Sequence, residues 1–118
     1  MSTLASQLAG KAVALNVALA AATETTLLSA VDVQRFDRFT IYVTNSGNSP
    51  VETVTLQTAA LADGPYITVD ASVSGGAIQN GTAAHESYAD KSFKFIRVLG
   101  TSQAGSVVSV YLSVGGLS

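Results

Sequence analysis

The chain has 118 residues and a mass of 12.0 kDa, which is enough for one hydrophobic core but not for two. Apolar residues make up 47% and charged residues only 12%, the reverse of a disordered chain. The net charge is −2, and the basic residues stand beside acidic ones, so no basic stripe indicates nucleic-acid binding. Because cysteine is absent, disulfides and thiolate metal sites are excluded.

The first ten residues differ from the rest of the chain. Ser2 or Thr3 can cap a short helix that places Leu4 and Leu8 on one side. One or two helical turns are not stable alone. We therefore expect residues 1–10 to form an N-terminal arm that contacts another subunit or a partner protein through Leu4 and Leu8.

The stretch from Ala12 to Ala22 is apolar except for Asn16. It is shorter than the roughly 20 residues of a membrane span. A signal peptide would have a positive charge before its apolar segment, and residues 1–10 contain none. We expect neither a membrane anchor nor a signal peptide. Its large apolar residues recur at every second position, which predicts a strand with a single apolar face, although two leucines four residues apart leave a helix as the alternative. These residues are Val13, Leu15, Val17 and Leu19.

Three more strands are predicted in the first half of the chain. Residues 25–33 are rich in β-branched side chains, and residues 38–44 and 51–58 alternate between apolar and polar positions. The turn-forming residues 45–50 lie between the last two segments, which predicts a hairpin. The inward positions of this hairpin are predicted to be Phe39, Ile41, Val43, Val54 and Leu56.

The second half of the chain contains further strand signals. A turn at residues 63–65 precedes a short predicted strand at residues 66–69. Residues 77–90 show no clear period and are predicted to be irregular. Residues 93–99 are apolar on both faces, which predicts a central strand, and residues 106–114 alternate and close the fold.

These segments predict an all-β protein with seven or eight antiparallel strands. Short strands separated by turn-rich loops are typical of a sandwich or a barrel. No linker divides the chain, so we expect a single β-sandwich domain, jelly-roll-like or immunoglobulin-like, over residues 11–118, with the arm at residues 1–10.

A catalytic site would have to involve the one histidine, His85. Ser87 and Asp90 lie close to it in sequence, so a serine–histidine–aspartate triad is arithmetically possible. Members of such triads come from separated segments, with the serine on a sharp turn, and this cluster lacks that context. We therefore predict a polar loop without a catalytic role, and a protein that is not an enzyme.

The acidic residues offer only weak candidates for a metal site. Zinc needs three or four histidine, cysteine or carboxylate ligands, which one histidine and no cysteine do not supply. Calcium is bound by oxygen ligands, which Asp63 with Asp70, or Glu86 with Asp90, could provide. Neither pair lies in a recognisable calcium loop, and no nucleotide-binding motif is present. We predict no metal and no cofactor.

The tyrosines are the candidate binding residues. Tyr42 and Tyr111 fall opposite the apolar positions of their strands, so they are predicted to be exposed. Exposed aromatic rings are used to bind carbohydrate, and they also pack against each other across strands. Tyr66 and Tyr88 are the remaining tyrosines.

Residues 39–47 and 51–56, together with residues 93–98 and 107–114, form a combined pattern of strands and turns. The pattern resembles small β-sandwich structural proteins of tailed bacteriophages, such as capsid decoration (cement) proteins and related head or tail accessory proteins. The resemblance spans residues 12–114 and identifies no individual functional residue.

The resemblance implies a non-enzymatic virion protein on the capsid surface. It implies an oligomer that binds the major capsid protein or another virion protein. Because homo-oligomers are usually closed and symmetric, we expect a trimer or a dimer, and the charge pattern and the short apolar stretch predict neither nucleic acid nor membrane as partner. We predict that Leu4, Leu8, Tyr42 and Tyr111 form its interface. The alternatives are a carbohydrate- or receptor-binding module that uses Tyr42 and Tyr111, and a hydrolase that uses His85.

Overall fold

The computed structural model describes residues 12–89 and 93–117. Leu4, Leu8 and Asp90 lie outside the described residues. The described chain contains one short 3-10 turn, Val73–Gly75, and otherwise strands joined by loops, which confirms the all-β prediction. No helix in this part of the chain has the length and apolar character needed to cross a membrane. The strands are β1 Ala12–Leu19, β2 Thr25–Asp32, β3 Phe36–Asn45, β4 Thr53–Ala59, β5 Ile67–Asp70, β6 Ala83–Ala89, β7 Phe95–Thr101 and β8 Ser106–Leu117.

The strands form two four-stranded antiparallel sheets. The first sheet has the order β1-β8-β3-β6 and the second has the order β2-β7-β4-β5. Successive strands alternate between the sheets except at β4 and β5, and this connectivity is that of an eight-stranded jelly roll. The prediction of a β-sandwich is confirmed, and of the two variants considered the jelly roll is the one observed.

The predicted hairpin between residues 38–44 and 51–58 is wrong. Both segments are strands, but β3 pairs with β8 and β6, whereas β4 pairs with β7 and β5. The loop at residues 45–50 crosses from one sheet to the other. A turn-rich loop between two alternating segments has the same local sequence whether its strands pair or face each other across a core.

The hydrophobic core lies between the two sheets. The predicted inward positions of β3 and β4 and the predicted alternation of β8 are confirmed, because every second side chain of these strands lies in the interior. β7 lies between β2 and β4, which confirms a central strand there. The core residues with almost no exposed surface include Ile41, Val43, Val54, Leu56, Ile96, Val98, Val108 and Val110.

β1 is a strand, but its predicted single apolar face is wrong. Val13 and Leu15 are exposed, whereas Leu19 is buried. The pairing with β8 changes register between Ala14 and Val17, because a bulge inserts one extra residue into β1. Asn16 lies at the bulge with a φ of 52°. The extra residue reverses the alternation, so odd-numbered side chains face outward before the bulge and inward after it.

The stretch predicted to be irregular contains β6. Its seven residues pair with β3 without interruption. The sequence Ala-Ala-His-Glu-Ser-Tyr-Ala contains no β-branched residue, so its intrinsic strand preference is low. Pairing with β3 therefore makes this segment a strand.

Asn45 joins three segments at one end of the sandwich. Its side chain is completely buried and makes four hydrogen bonds, which is its full capacity. Nδ2 donates to the carbonyl oxygens of Ser49 at 2.8 Å and Ile78 at 3.0 Å. Oδ1 accepts from Gly47 N at 3.1 Å and from Ser106 Oγ at 2.7 Å. These bonds connect the end of β3 to the loop that leads to β4, the segment before β6 and the start of β8.

A second link joins the edge strands β5 and β6 across the sandwich. The Tyr88 hydroxyl donates to Asp70 Oδ2 at 2.7 Å, and Asp70 Oδ1 accepts from Ser72 N at 3.1 Å. The ring of Tyr88 stacks on Phe39 with centroids 5.2 Å apart. Burial raises the pKa of Tyr88 well above its usual range, and the hydrogen bond to Asp70 raises it further.

Replacing Asn45 should strongly destabilise the fold. Asn45→Ala removes four hydrogen bonds, each worth about 0.5–1.5 kcal/mol net, and leaves Gly47 N without its acceptor. The carbonyl oxygens of Ser49 and Ile78 each keep one other donor. We expect a loss of roughly 3–5 kcal/mol, which thermal denaturation would register as a fall of more than about 10 °C in Tm. Asn48→Ala, an exposed change in the same loop, is the control. Equal Tm values for the two variants would contradict the role of Asn45.

Tyr88 should make the stability of the fold depend on alkaline pH. The folded state holds the Tyr88 proton more tightly than the unfolded state does, so this stabilisation is complete below the unfolded pKa of about 10 and is lost as the pH rises above it. The slope can reach roughly 1.4 kcal/mol per pH unit. Urea denaturation between neutral and alkaline pH should show a flatter pH dependence for Tyr88→Phe than for the wild type. A Tyr88→Phe slope equal to that of the wild type would contradict the assignment.

Candidate functional site

Four side chains form a transverse row on the outer face of the first sheet. Val13 of β1 lies opposite Tyr111 of β8, Tyr111 lies opposite Tyr42 of β3, and Tyr42 lies opposite His85 of β6. We call these four residues the tyrosine row. Alternation along each strand directs all four side chains away from the core.

The tyrosine row is open to solvent. Val13, Tyr42 and Tyr111 are 48%, 45% and 40% exposed, and His85 is also exposed. The rings of Tyr42 and His85 have centroids 5.9 Å apart, at an interplanar angle of 31°. A shallow depression next to them is lined by Tyr42, Thr44, Ala83, Ala84, His85 and Tyr111.

Among the described residues, the two rows that flank the tyrosine row carry no acidic or basic side chain, and Arg38 lies one row further along the same face, opposite Gly115 and Ala89. On one side, Ser109 and Ala83 lie opposite Thr44, and Leu15 at the bulge in β1 is 60% exposed. On the other side, Ser113 and Ser87 lie opposite Thr40. The central part of this face therefore combines aromatic and aliphatic groups with hydroxyls.

The outer face of the second sheet is different, because its long side chains bond to one another. The guanidinium of Arg97 lies 4.2 Å from the centre of the Tyr66 ring, and its Nε donates to Gln57 Oε1 at 2.7 Å. Gln57 Nε2 in turn donates to Thr68 Oγ1 at 3.3 Å. This network occupies Tyr66, so the tyrosines that remain open for binding are Tyr42 and Tyr111.

A second apolar surface lies at residues 58–67. Leu61 and Ile67 are each 66% exposed. A depression beside Ile67 is lined by Thr58, Ala59, Ala60, Pro65, Phe93 and Lys94. It lacks the paired aromatic side chains of the tyrosine row and includes a cationic side chain.

Two of the three residues considered for a catalytic triad, His85 and Ser87, contact other side chains. Ser87 Oγ shares a 2.9 Å hydrogen bond with Thr40 Oγ1, and the ring of His85 lies against Tyr42. Both lie in the regular strand β6, on its exposed face, and not on the sharp turn that presents a nucleophilic serine.

Two of the four carboxylates considered for calcium, those of Asp70 and Glu86, bond to groups of the protein itself. Asp70 accepts hydrogen bonds from Tyr88 and Ser72, and Glu86 Oε1 accepts one from Ser74 N at 3.0 Å. Within residues 12–89 and 93–117, no three side chains of histidine, cysteine, aspartate or glutamate cluster as a metal site would require.

The structure brings together two of the four interface residues named from the sequence. Tyr42 and Tyr111 lie side by side on one face, whereas Leu4 and Leu8 lie outside the described residues. Sequence reasoning missed the exposure of Val13, which it placed on the same strand face as Val17 and Leu19, and the contact between His85 and Tyr42. The only sequence signal for the exposure of Val13 was Asn16 within an apolar strand, because asparagine tolerates the positive φ that a bulge requires.

Solved structures with similar folds were found, all at low sequence identity. PirA superposes with a TM-score of 0.58 at 13% identity, over 89% of this chain and 93% of that one. The PBSX exported protein XepA superposes with a TM-score of 0.62 at 15% identity, over 92% of this chain but only 37% of XepA. The SPBc2 prophage-derived protein YomS gives 0.55 at 14% identity, over 89% and 93% of the two chains.

No protein-family model and no curated protein sequence matches this chain. At such low identities, the structural likenesses bear on the fold alone. This chain shares the two-sheet β-sandwich architecture of PirA, YomS and one part of XepA.

Proposed function

We propose that this chain is a non-enzymatic structural protein of a bacteriophage particle, a capsid decoration protein that stabilises the head by binding between capsid subunits. The observation that carries the proposal is the tyrosine row, which is flanked on the same sheet face by rows of hydroxyl-bearing and small side chains. Two fold relatives support the phage setting, because YomS is prophage-derived and XepA is an exported protein of PBSX. Eight-stranded jelly rolls are also a common architecture of viral capsid domains.

The chemistry of this face suits contact with another protein. Interface centres are depleted in charged residues and enriched in aromatic ones, and a few buried tyrosines often carry most of the binding energy. A stable interface buries about 800 Å² on each partner, more than two half-exposed tyrosines supply. Leu15 and the hydroxyl rows would add to the area, as would Leu4 and Leu8 of the N-terminal arm.

The assignment as a non-enzyme is supported by the partners of the reactive groups. His85 and Ser87 contact Tyr42 and Thr40, and the carboxylate of Asp70 accepts the Tyr88 hydroxyl. A chain of this kind acts by binding. We place it on the capsid surface, where its copies associate as a dimer or a trimer and bind the major capsid protein.

A second candidate function is carbohydrate or receptor binding. The observation that favours it is the shallow depression between Tyr42 and Tyr111, with the Thr44 hydroxyl and the His85 ring in its lining. Tyrosine rings offer an apolar face for a sugar ring and a hydroxyl at its rim. The same two tyrosines serve both functions, so a binding experiment has to vary the target as well as the protein.

Removing both rings should weaken capsid binding at least tenfold while preserving the fold. We expect the double variant Tyr42→Ser, Tyr111→Ser to bind undecorated capsids of the phage that encodes this chain at least tenfold more weakly, since one buried tyrosine anchor is worth about 1.4 kcal/mol or more. Co-sedimentation with capsids measures the affinity. The control is Leu61→Ser, Ile67→Ser, which removes exposed apolar side chains elsewhere and should bind normally. Unchanged binding by the tyrosine variant would refute the proposed surface, and wild-type binding to oligosaccharides but not to capsids would favour the second candidate.

Deleting residues 1–10 should weaken capsid binding and leave the Tm nearly unchanged. A fully buried leucine contributes about 1.5–3 kcal/mol, so loss of Leu4 and Leu8 should reduce affinity by at least tenfold after the cost of ordering the arm. Leu4→Ser, Leu8→Ser in the full-length chain separates the leucines from the length of the arm. Normal capsid binding by the deletion variant would contradict the arm's role, and so would a large fall in Tm, because the arm would then belong to the domain's own core.

A further inference from the structure

The four sheet edges of this jelly roll are not equivalent. Edge strands expose unpaired backbone groups, and proteins protect them with bulges or short strands. β1 has the bulge at Asn16, β2 changes register twice against β7, and β5 has only four residues. β6 pairs with β3 over all seven of its residues without a register shift.

The hydrogen-bond pattern identifies the backbone groups of β6 that point away from β3. Asn45 N donates to Thr82 O at 2.9 Å, next to the β3–β6 ladder and in its register. Since bonded and non-bonded pairs alternate in an antiparallel ladder, Ala84, Glu86 and Tyr88 bond to β3. The N–H and C=O groups of the other four residues point to the open edge, and no backbone bond among the described residues joins them to another segment. These four are Ala83, His85, Ser87 and Ala89.

The side chains along this edge do not oppose pairing. All four residues with outward backbone groups are exposed on the outer face, and none is lysine, proline or an acid, the residues that commonly block an edge. The one charged residue of β6, Glu86, points to the inner side, where Ser74 N holds its carboxylate at 3.0 Å. Tyr88 is likewise held on the inner side by Asp70.

We propose that β6 pairs with β6 of a second copy of this chain, antiparallel and centred on His85, so that two first sheets become one continuous eight-stranded sheet. In this register every odd-numbered residue of one β6 faces an odd-numbered residue of the other. Because the odd-numbered residues carry the outward N–H and C=O groups, these groups can bond to each other. Glu86 then lies opposite Ala84 of the second copy. Centring the pair on Glu86 instead would place two like charges opposite each other, which is unfavourable.

This pairing extends the proposed function, but the dimer can be tested separately from capsid binding. It aligns the tyrosine rows of the two copies end to end across the two-fold axis, which gives a double-length aromatic band for a symmetric or repeating partner. Self-association is measured on the purified chain alone. A dimer that fails to bind capsids would therefore refute the proposed function and leave this inference standing.

Proline at Ser87 is the direct test. It removes an N–H that points to the open edge and none that bonds to β3, and proline is tolerated at such edge positions. In light scattering at micromolar concentrations, the wild type should have twice the 12.0 kDa of one chain, and folded Ser87→Pro should be a monomer. Ser87→Ala is the matched control, because it removes the hydroxyl bond to Thr40 and keeps the backbone donor, so it should remain a dimer.

Two further variants complete the test. If Ser87→Pro fails to fold, Ser87→Lys leaves the backbone intact and places a charge on the edge, which should also give a monomer. Since the chain has no cysteine, His85→Cys should form a disulfide-linked dimer on oxidation, because facing bonded residues have Cα atoms about 5.5 Å apart, within disulfide range. Ser113→Cys, two strands away from the edge, should not.

Three results would overturn the pairing. They are a wild-type chain that stays monomeric into the high micromolar range, a folded Ser87→Pro or Ser87→Lys variant with unchanged oligomeric mass, and a dimeric His85→Cys variant that does not cross-link.

Discussion

The jelly roll depends on the buried amide of Asn45, where the chain leaves one sheet for the other. A backbone that turns inside a protein must have its polar groups satisfied, because each unsatisfied group costs on the order of 1–3 kcal/mol. Asn45 supplies two donors and two acceptors at one point and bonds to the loop toward β4, to the segment before β6 and to the start of β8. Gly47 lies so close to Ser106 and Val107 N that a Cβ atom there would collide with them. This arrangement brings β3, β6 and β8 together in one sheet.

The candidate site follows from the register that this junction maintains. Tyr42 lies opposite both Tyr111 and His85 only because β3 is paired without shift to β8 on one side and to β6 on the other. A slip of one residue would turn the rings of a strand into the core. Two contacts on the interior side, Tyr88 with Asp70 and Glu86 with Ser74 N, hold β6 against the second sheet. The aromatic face and the open edge of β6 therefore belong to one rigid unit, and a partner that binds the face meets side chains already in place.

The two edges of the first sheet show how one sheet can limit association to one side. At β1, the extra residue at Asn16 interrupts regular pairing, and the Asn16 N–H donates to Ser109 Oγ of the neighbouring strand β8 at 3.0 Å. At β6 the ladder is regular and the outward groups have no described backbone partner. Closed two-fold assemblies need one self-complementary surface, whereas two open edges would allow sheets to add without limit. A bulge at one edge and a regular strand at the other favour a closed dimer over a fibre.

The sequence by itself determined the fold class and most inward faces. The two-residue period of β3, β4 and β8 is a local property of the chain, and it correctly placed residues such as Ile41, Leu56 and Val110 in the core. Tertiary structure decided which strands pair, because pairing joins residues far apart in the chain. The sequence of a loop such as 45–50 does not show whether the loop connects two strands of one sheet or crosses between sheets. Tertiary structure also decided that β6 is a strand, through its ladder to β3, and that Val13 is exposed, through one inserted residue at the β1 bulge. The tyrosine row depends on all of these long-range pairings, so the sequence could name Tyr42 and Tyr111 as exposed rings, but only the packed sheet could set them side by side.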